Sequence, residues 1–183
     1  MACSAAHDGG MTRTTRAIQL LTVLLVALTM GLLFAHVLEL GPKMGYPPQL
    51  YLRLNNSLYA WFGPPLGAAI QTGALVATGA LTWLVRRQLP AVLLTGGGCV
   101  LQVAALANYF ARVEPVNVRF RALSPGQVPS DFMALRAQWE YGHALDFGLF
   151  AAAFVLLVSA LPGRPTAASP SPKELPDRDF DGH

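Results

Sequence analysis

The sequence predicts an all-α fold: an integral membrane four-helix antiparallel bundle with disordered N- and C-terminal tails. Of its 183 residues, 53% are hydrophobic and only 13% are charged, about half the charged fraction of an average soluble domain. The mean hydropathy is +0.41. Aspartate, glutamate, lysine and arginine are absent from 17–38, 54–85, 88–111 and 147–163. The first three runs exceed the roughly 18 residues that mark a membrane-spanning helix, and the fourth reaches that length if its helix begins earlier.

The same counts exclude several classes of protein. An ordinary soluble domain, a secreted disulfide scaffold and a disordered chain do not fit this composition. The two cysteines, Cys3 and Cys99, form no CxxC pair, so a thiol–disulfide oxidoreductase of the membrane is excluded. The net charge of +3 is spread over loops and tails, which provides no basic stripe for nucleic acid. The expected partners are the lipid bilayer and a lipophilic small molecule.

The first half of the chain holds a tail and two predicted spans. Residues 1–16 are polar and form the N-terminal tail, in which Met11 is an alternative start. The first span, 17–40, is longer than the roughly 7–15 apolar residues of a signal peptide, so we expect it to be retained. Residues 41–56 form a loop because Gly-Pro and Pro-Pro pairs interrupt them. The second span, 58–85, begins with two prolines that should kink or restart its helix.

The second half holds two further spans and a tail. A tight turn leads into the third span, 91–110, where three consecutive glycines favour close approach of a neighbouring helix. Residues 111–138 form an extramembrane loop and helix, with Ser130-Asp131 as the helix N-cap. That helix continues as the fourth span, 139–161, which completes a transmembrane domain beginning at residue 17. Residues 162–183 form a disordered, proline-rich tail.

Four spans place both termini on one side of the membrane. Lysine and arginine are nearly balanced between the two sides when all loops are counted. The arginines that directly flank the spans lie on the side of the termini: Arg13, Arg16, Arg86, Arg87 and Arg164. The positive-inside rule therefore places the termini in the cytoplasm. We expect a multi-pass integral protein of a bacterial plasma membrane.

Strongly polar residues collect at the end of the bundle opposite the termini. His36 and Glu39 form H-x-x-E on the outgoing first span, and Glu140 and His143 form E-x-x-H on the incoming fourth span. Residues i and i+3 share a helix face, so antiparallel helices would place the histidines in one layer and the glutamates in another. This set is a candidate site for a transition metal. Further oxygen ligands are available nearby: Glu114 and Asn117.

A structural interpretation stands beside the metal site. Ionisable groups within a turn or two of the membrane interface commonly snorkel or form structural pairs. The aromatic residues at this end fit an interfacial belt better than a substrate platform: Trp61, Tyr109, Trp139 and Tyr141.

Three short patterns also occur together in this chain. A first span carrying His36 and Glu39 is followed by P-x-N ending at Asn117 and by W-x-x-x-H from Trp139 to His143. This combination resembles the anthrone oxygenase-like family of small four-helix integral membrane proteins, over residues 18–161. The resemblance implies an oxygen-dependent oxidation of an activated aromatic, such as anthrone to anthraquinone, without flavin or nicotinamide, for which the chain carries no motif.

Only a few residues of this chain match the family's pattern, and one residue differs from it. The matching residues are His36, Asn117 and His143, together with Trp139 as a substrate-binding candidate. An arginine is expected three residues after the second histidine, where this chain has Asp146. The reversed charge changes which substrate oxygen that position can bind.

The candidate residues include the chemical groups that such an oxidation needs. A phenolic or enolic substrate needs a base, and His143 or His36 can accept its proton near neutral pH. Asn117, with Arg119 or Arg121, can hydrogen-bond the developing oxyanion. A metal held by the histidines and glutamates would act instead as a Lewis acid or activate oxygen.

Two other functions remain open. His36 and His143, at equal depth on two helices, would suit bis-histidine ligation of haem in a small membrane cytochrome. Alternatively, the polar end is the interaction surface of a non-enzymatic accessory or transport protein.

Overall fold

The fold is entirely helical across the described part of the chain. The computed structural model describes residues 13–161, except for the side chain of Pro64. Every regular element in this range is a helix, which confirms the predicted all-α class. The elements are α1 (Arg13–Met44), α2 (Pro48–Trp61), a π-helical turn (Phe62–Gly67), α3 (Ala68–Leu84), α4 (Leu89–Asn108), a second π-helical turn (Tyr109–Val113), α5 (Glu114–Arg121) and α6 (Phe132–Ser159).

Three helical stretches are long and apolar enough to cross a membrane: Arg13–Met44, Leu89–Arg121 and Phe132–Ser159. The predicted second span is divided between α2 and α3. At its predicted kink the chain forms the first π-helical turn, in which the backbone of Gly63 leaves helical geometry. Pro65 lies inside this turn, and proline lacks the backbone N–H that a regular helix needs. The prediction of a kink or restart at the proline pair is confirmed.

Two predicted loops are shorter than expected. Helix α1 runs through Gly41-Pro42 to Met44, and α2 begins at Pro48, so most of 41–56 is helical. Helix α5 extends to Arg121, so only 122–131 remains of the loop predicted to start at residue 111. Proline is tolerated in the first turn of a helix, where its missing N–H has no intrahelical partner, and this is where Pro48 of α2 and Pro115 of α5 lie. Pro42 is different, because it lies inside α1, two residues before the helix ends.

The ends of the outer helices also differ from the predictions. Helix α1 begins at Arg13, so 13–16 are helical and do not belong to the tail. The predicted tails at 1–12 and 162–183 lie outside the described residues. Helix α6 begins after Asp131 and runs unbroken to Ser159, as predicted. The Asp131 side chain makes no capping bond, because its carboxylate pairs with Arg119 instead.

Polar side chains face inward and apolar side chains face outward on these helices. Thr22, Thr29, Thr78 and Thr95 are buried, and each hydroxyl donates to the backbone carbonyl four residues earlier. Large apolar side chains are exposed on the same helices: Leu20, Leu24, Leu28, Val76, Leu93 and Val100. A soluble helix has the opposite pattern, with its apolar stripe facing the core.

The helices α1, α3, α4 and α6 pack side by side, with α1 and α4 each contacting both α3 and α6. Gly97 and Gly98 of α4 lie against Leu156 and Leu157 of α6, where a Cβ atom would come within 3.1–3.2 Å of the leucine side chains. The predicted close approach at the glycine run is confirmed. A separate apolar core lies under α2 and α5: Tyr51, Leu52, Val113, Val116, Phe120, Phe132, Leu135 and Trp139.

Replacing Gly142 with alanine is expected to lower the free energy of unfolding by about 1–2 kcal/mol. A Cβ at this position would lie 2.7 Å from Cγ2 of Val113, which is fully buried and, being β-branched, has few rotamers in which to move away. Gly148 is a matched control on the same helix, because a Cβ there would meet nothing within 4 Å. Unfolding of both variants in detergent measures the difference. Equal stability of the two variants would contradict the tight contact.

Candidate functional site

The two predicted histidines lie in one layer between α1 and α6. The rings of His36 and His143 stack with their centroids 4.3 Å apart and their planes 10° from parallel. The indole of Trp139 meets both rings edge-on, at centroid distances of 5.0 Å and 4.4 Å. The equal depth predicted for the two histidines is therefore confirmed. Trp139 is buried, so it belongs to this cluster and not to an interfacial belt.

The ammonium group of Lys43 lies at the centre of the predicted metal-ligand set. Its Nζ is 3.1 Å from Oε2 of Glu140, 3.5 Å from Oε2 of Glu39 and 3.4 Å from Nδ1 of His36. Lys43 is only 2% exposed and Glu140 only 1%. A buried carboxylate requires a counter-charge, and here a side chain of the protein itself provides it.

In this arrangement the four residues have partners within the protein, and the metal site stays a prediction. Among residues 13–161, no group of three or more histidine, cysteine, aspartate or glutamate side chains is arranged to hold a metal ion. The histidines stack face to face, and the two carboxylates turn toward Lys43. The lysine was missed in the sequence, although H-x-x-E-x-x-x-K from His36 to Lys43 places all three side chains on one face of a continuous helix.

The stacked rings do not fit the haem alternative either. Axial histidines of one haem iron lie on opposite faces of the porphyrin and direct a ring nitrogen at the metal. His36 and His143 are instead in face-to-face contact at 4.3 Å, which leaves no space for a macrocycle between them.

Two tyrosines complete the cluster around the lysine. The hydroxyl of Tyr51 donates to Oε1 of Glu140 at 3.0 Å, and that of Tyr59 donates to Glu39. Neither tyrosine was predicted to belong to the site. Tyr51 lay in the predicted loop 41–56, and Tyr59 lay at the start of the second predicted span.

A second polar network connects α5 to the histidine layer. Nε1 of Trp139 donates to Oδ1 of Asn117 at 2.7 Å, and Nδ2 of Asn117 donates to Oε2 of Glu114 at 3.1 Å. Glu114 also accepts from the Tyr109 hydroxyl at 2.9 Å and pairs with Arg121 at 2.7 Å. The predicted candidates Asn117, Trp139 and Arg121 are thus brought together, with Glu114 holding both Asn117 and Arg121 in place.

Arg119, also predicted to bind substrate, lies away from the cavity. Its guanidinium forms a two-pronged pair with the carboxylate of Asp131, at 2.7 Å and 3.0 Å, and both side chains are about half exposed. The hydrogen bond from Arg119 lowers the pKa of Asp131 below its ordinary value. The pair links α5 to the start of α6 on the outer surface.

Arg136 caps the C-terminal end of α1 beside the cluster. Its Nη1 donates to the backbone carbonyls of Lys43, Met44 and Tyr46 at 2.8–3.0 Å. The last carbonyls of a helix have no intrahelical partner, and a cation favours this negative end of the helix dipole. Arg136 therefore holds the turn that carries Lys43.

Replacing Arg136 with methionine is expected to cost about 2 kcal/mol of stability, because three backbone carbonyls lose a charged donor inside the protein. Arg53, which is exposed on α2, is the matched control, and its methionine variant should change stability by less than 0.5 kcal/mol, as is usual at the surface. Reversible unfolding followed by circular dichroism compares the two. A cost for the Arg53 variant equal to that for Arg136 would refute this capping role.

A cavity of about 690 Å³ opens beside the histidine layer, within the range of small-molecule sites. Its apolar wall includes Leu32, Leu33, Phe62, Leu75, Leu106 and Phe110. Its polar wall includes His36, Asn55, Tyr59, Gln102, Asn117, Arg121, Trp139, His143 and Asp146. The charged residues on the far side of the histidines do not line this cavity: Glu39, Lys43 and Glu140. Arg119 does not line it either.

Three residues of the cavity wall each carry a polar atom that is buried without a hydrogen-bond partner among the described residues: Nδ1 of His143, Nδ2 of Asn55 and Oε1 of Gln102. Asp146, the residue that departs from the family pattern, already accepts from Nδ2 of Asn108 at 2.8 Å. Unpaired buried polar atoms are costly and rare in folded proteins. Three residues with such atoms share the wall of one cavity.

Comparison of the chain with protein-family models, with curated proteins and with solved structures finds no match.

Proposed function

We propose that this chain is an integral membrane protein whose four packed helices form an antiparallel bundle with cytoplasmic termini. The second span is then the broken helix formed by α2, the π-helical turn and α3. The exposed apolar faces of the helices support this, because lipid can cover them where water cannot. Trp61 and Trp83, near the two ends of α3 and its preceding turn, are both exposed, as is usual for tryptophans at the two membrane interfaces. Arg86 lies over the Trp83 ring.

Within that setting we propose an oxygen-dependent oxidation of a lipophilic phenol or enolisable ketone. The observation that carries the proposal is that His143, a buried residue whose Nδ1 is unpartnered, belongs to the wall of a cavity that is largely apolar. A base in such a place can accept a proton from an apolar substrate while water is kept away. The cavity is large enough for a planar aromatic of two or three rings.

The two histidines have different roles in this proposal. Lys43, held by two carboxylates, donates to Nδ1 of His36, so the acceptor nitrogen of His36 is already in use. His143 has no such partner among residues 13–161 and is therefore the base. His36 supports its ring by stacking.

The reaction balances with molecular oxygen as the only oxidant. His143 accepts one proton from an activated CH₂ group, which leaves an enolate whose oxygen Asn117 or Arg121 can hydrogen-bond. The carbanion carbon is oxidised as it forms a bond to O₂, and the proton returns to give a hydroperoxide. The O–O bond then breaks as the second C–H proton is lost, which yields a ketone and one molecule of water.

Oxygen uptake with anthrone as the probe tests this proposal. Purified protein in lipid nanodiscs should accelerate oxygen consumption above the rate of empty nanodiscs, with one anthraquinone formed per O₂ consumed. With ¹⁸O₂, one labelled oxygen should enter the product. Equal rates with and without protein, across anthrone and simpler enolisable aryl ketones, would overturn the oxidase proposal.

A further inference from the structure

One polar side chain is held in a single orientation deep among the helices. Nε2 of Gln102, on α4, donates to Oγ1 of Thr78 at 2.8 Å and to the carbonyl of Gly98 at 3.3 Å. Thr78 donates its only hydroxyl proton to the carbonyl of Ala74 at 2.7 Å, so toward Gln102 it can only accept. Both partners are therefore acceptors, and they take both N–H groups of the Gln102 amide.

This orientation leaves the amide oxygen unsatisfied. Oε1 of Gln102 is buried without a partner among the described residues, and Gln102 belongs to the wall of the cavity. An amide oxygen can only accept a hydrogen bond. Whatever satisfies it must bring a donor, and an apolar or acceptor-only group cannot do so.

The unsatisfied oxygen lies well below the histidine layer. Nδ2 of Asn108 donates to the carbonyl of Gly142 and to Asp146, which places Asn108 at the level of His143. Gln102 precedes Asn108 by six residues on α4, roughly 9 Å deeper at 1.5 Å per residue. Polar residues thus line the cavity both beside His143 and at the deeper level of Gln102.

We propose that Gln102 forms a hydroxyl-recognising subsite that selects elongated ligands of the cavity. The ligand carries a hydroxyl group at its deep end, which donates to Oε1 of Gln102, and places its other polar end beside His143 roughly 9 Å away. Thr78 is a positioning residue, since it orients the amide. The inference rests on the proposed use of the cavity as a ligand site and does not require that the ligand be oxidised.

Binding of two matched probes in the absence of oxygen tests the subsite. The probes are 4,4′-dihydroxybiphenyl and 4-fluoro-4′-hydroxybiphenyl, which have nearly the same shape and differ by one terminal hydroxyl. The full chain in nanodiscs should bind the diol about tenfold more tightly in calorimetry, because the fluoro compound leaves one buried polar position unpaired. In Gln102→Met the diol should lose about tenfold in affinity, and the preference between the probes should disappear.

Gln19 provides a matched control. It is also buried, donates through Nε2 to a backbone carbonyl, and has an unpartnered Oε1, but it does not line the cavity. Gln19→Met should keep the preference for the diol. If Gln102→Met fails to fold, 4-methoxy-4′-hydroxybiphenyl replaces it as the test, because its ether end accepts but cannot donate and should bind the wild-type protein as weakly as the fluoro compound.

The outcomes separate this inference from the proposed function. Equal binding of the diol and the fluoro compound by the wild-type protein, or an unchanged preference in Gln102→Met, would overturn the subsite and leave the oxidase proposal standing. Tight binding of the methoxy compound would likewise overturn it, and would assign Oε1 of Gln102 to a trapped water. Absence of binding by all three probes, together with anthrone, would overturn the cavity as a ligand site and both proposals with it.

Discussion

Replacing Lys43 with methionine is expected to lower the free energy of unfolding by about 3–5 kcal/mol, the usual cost of removing one partner of a buried ion pair. Glu140 would be left buried with only the Tyr51 hydroxyl, 3.0 Å from its Oε1, as a hydrogen-bond donor. Lys43 also lies over the rings of Tyr59 and Trp139, at 4.8 Å and 4.9 Å, and those contacts would lose their charge. Reversible unfolding in mixed detergent micelles, followed by circular dichroism, measures the change.

Two further variants identify the cause of that loss. Adding Glu140→Gln to Lys43→Met should restore much of the stability, because a neutral amide replaces the unpaired charge. Arg119→Met breaks an exposed ion pair with Asp131 and should cost less than about 1 kcal/mol. If the lysine and arginine variants were equally stable, or if the double variant were no better than the single one, the buried pair would not be the reason.

Replacing His143 with phenylalanine is expected to reduce protein-dependent oxygen consumption by about 100-fold or more, the usual contribution of a general base. Phenylalanine keeps a flat ring between Trp139 and His36, so the stacking is preserved while the base is removed. The binding affinity of a non-reacting ligand without polar groups, such as biphenyl, should change by less than about threefold, since shape and apolar contact are retained. Rate and affinity are measured on the same nanodisc preparation.

The comparison with His36 makes this prediction specific. His36→Phe also keeps the stack, and its Nδ1 already accepts from Lys43, so we expect its effect on the rate to be about tenfold or less. A His143 variant that retained more than a tenth of the wild-type rate, or a larger loss in His36→Phe, would assign the base elsewhere. Loss of ligand binding in His143→Phe would instead indicate a binding role for that residue.

Some features of the site follow from short-range rules and were predicted from the sequence. The equal depth of His36 and His143 depends only on helix spacing and on antiparallel neighbours. The break at the proline pair depends on a missing N–H. These rules concern one helix at a time, so they hold whatever the rest of the chain does.

Other features could not be predicted because they depend on distant residues. Arg119 and Arg121 are two positions apart, and only the formation of α5 shows that they point in different directions, one to Asp131 and one to Glu114. As long as this segment was predicted to be a loop, the sequence did not distinguish the directions of the two arginine side chains. Helix residues two apart do not share a face, so one arginine lines the cavity and the other does not.

The sequence by itself determined the all-α class, the three long apolar helices and the layer in which the histidines meet, because charge-free runs and helical spacing are local properties. The tertiary structure decided what lies at the centre of that layer. Lys43 reaches His36 only because α1 stays helical through Pro42, and Arg136, 93 residues later in the chain, donates to the carbonyl of Lys43 and holds that last turn. The Lys43 ammonium group therefore lies where the pattern of histidines and glutamates predicted a metal. Which cation balances a buried carboxylate depends on how the helices pack, and the spacing of residues in one helix does not determine it.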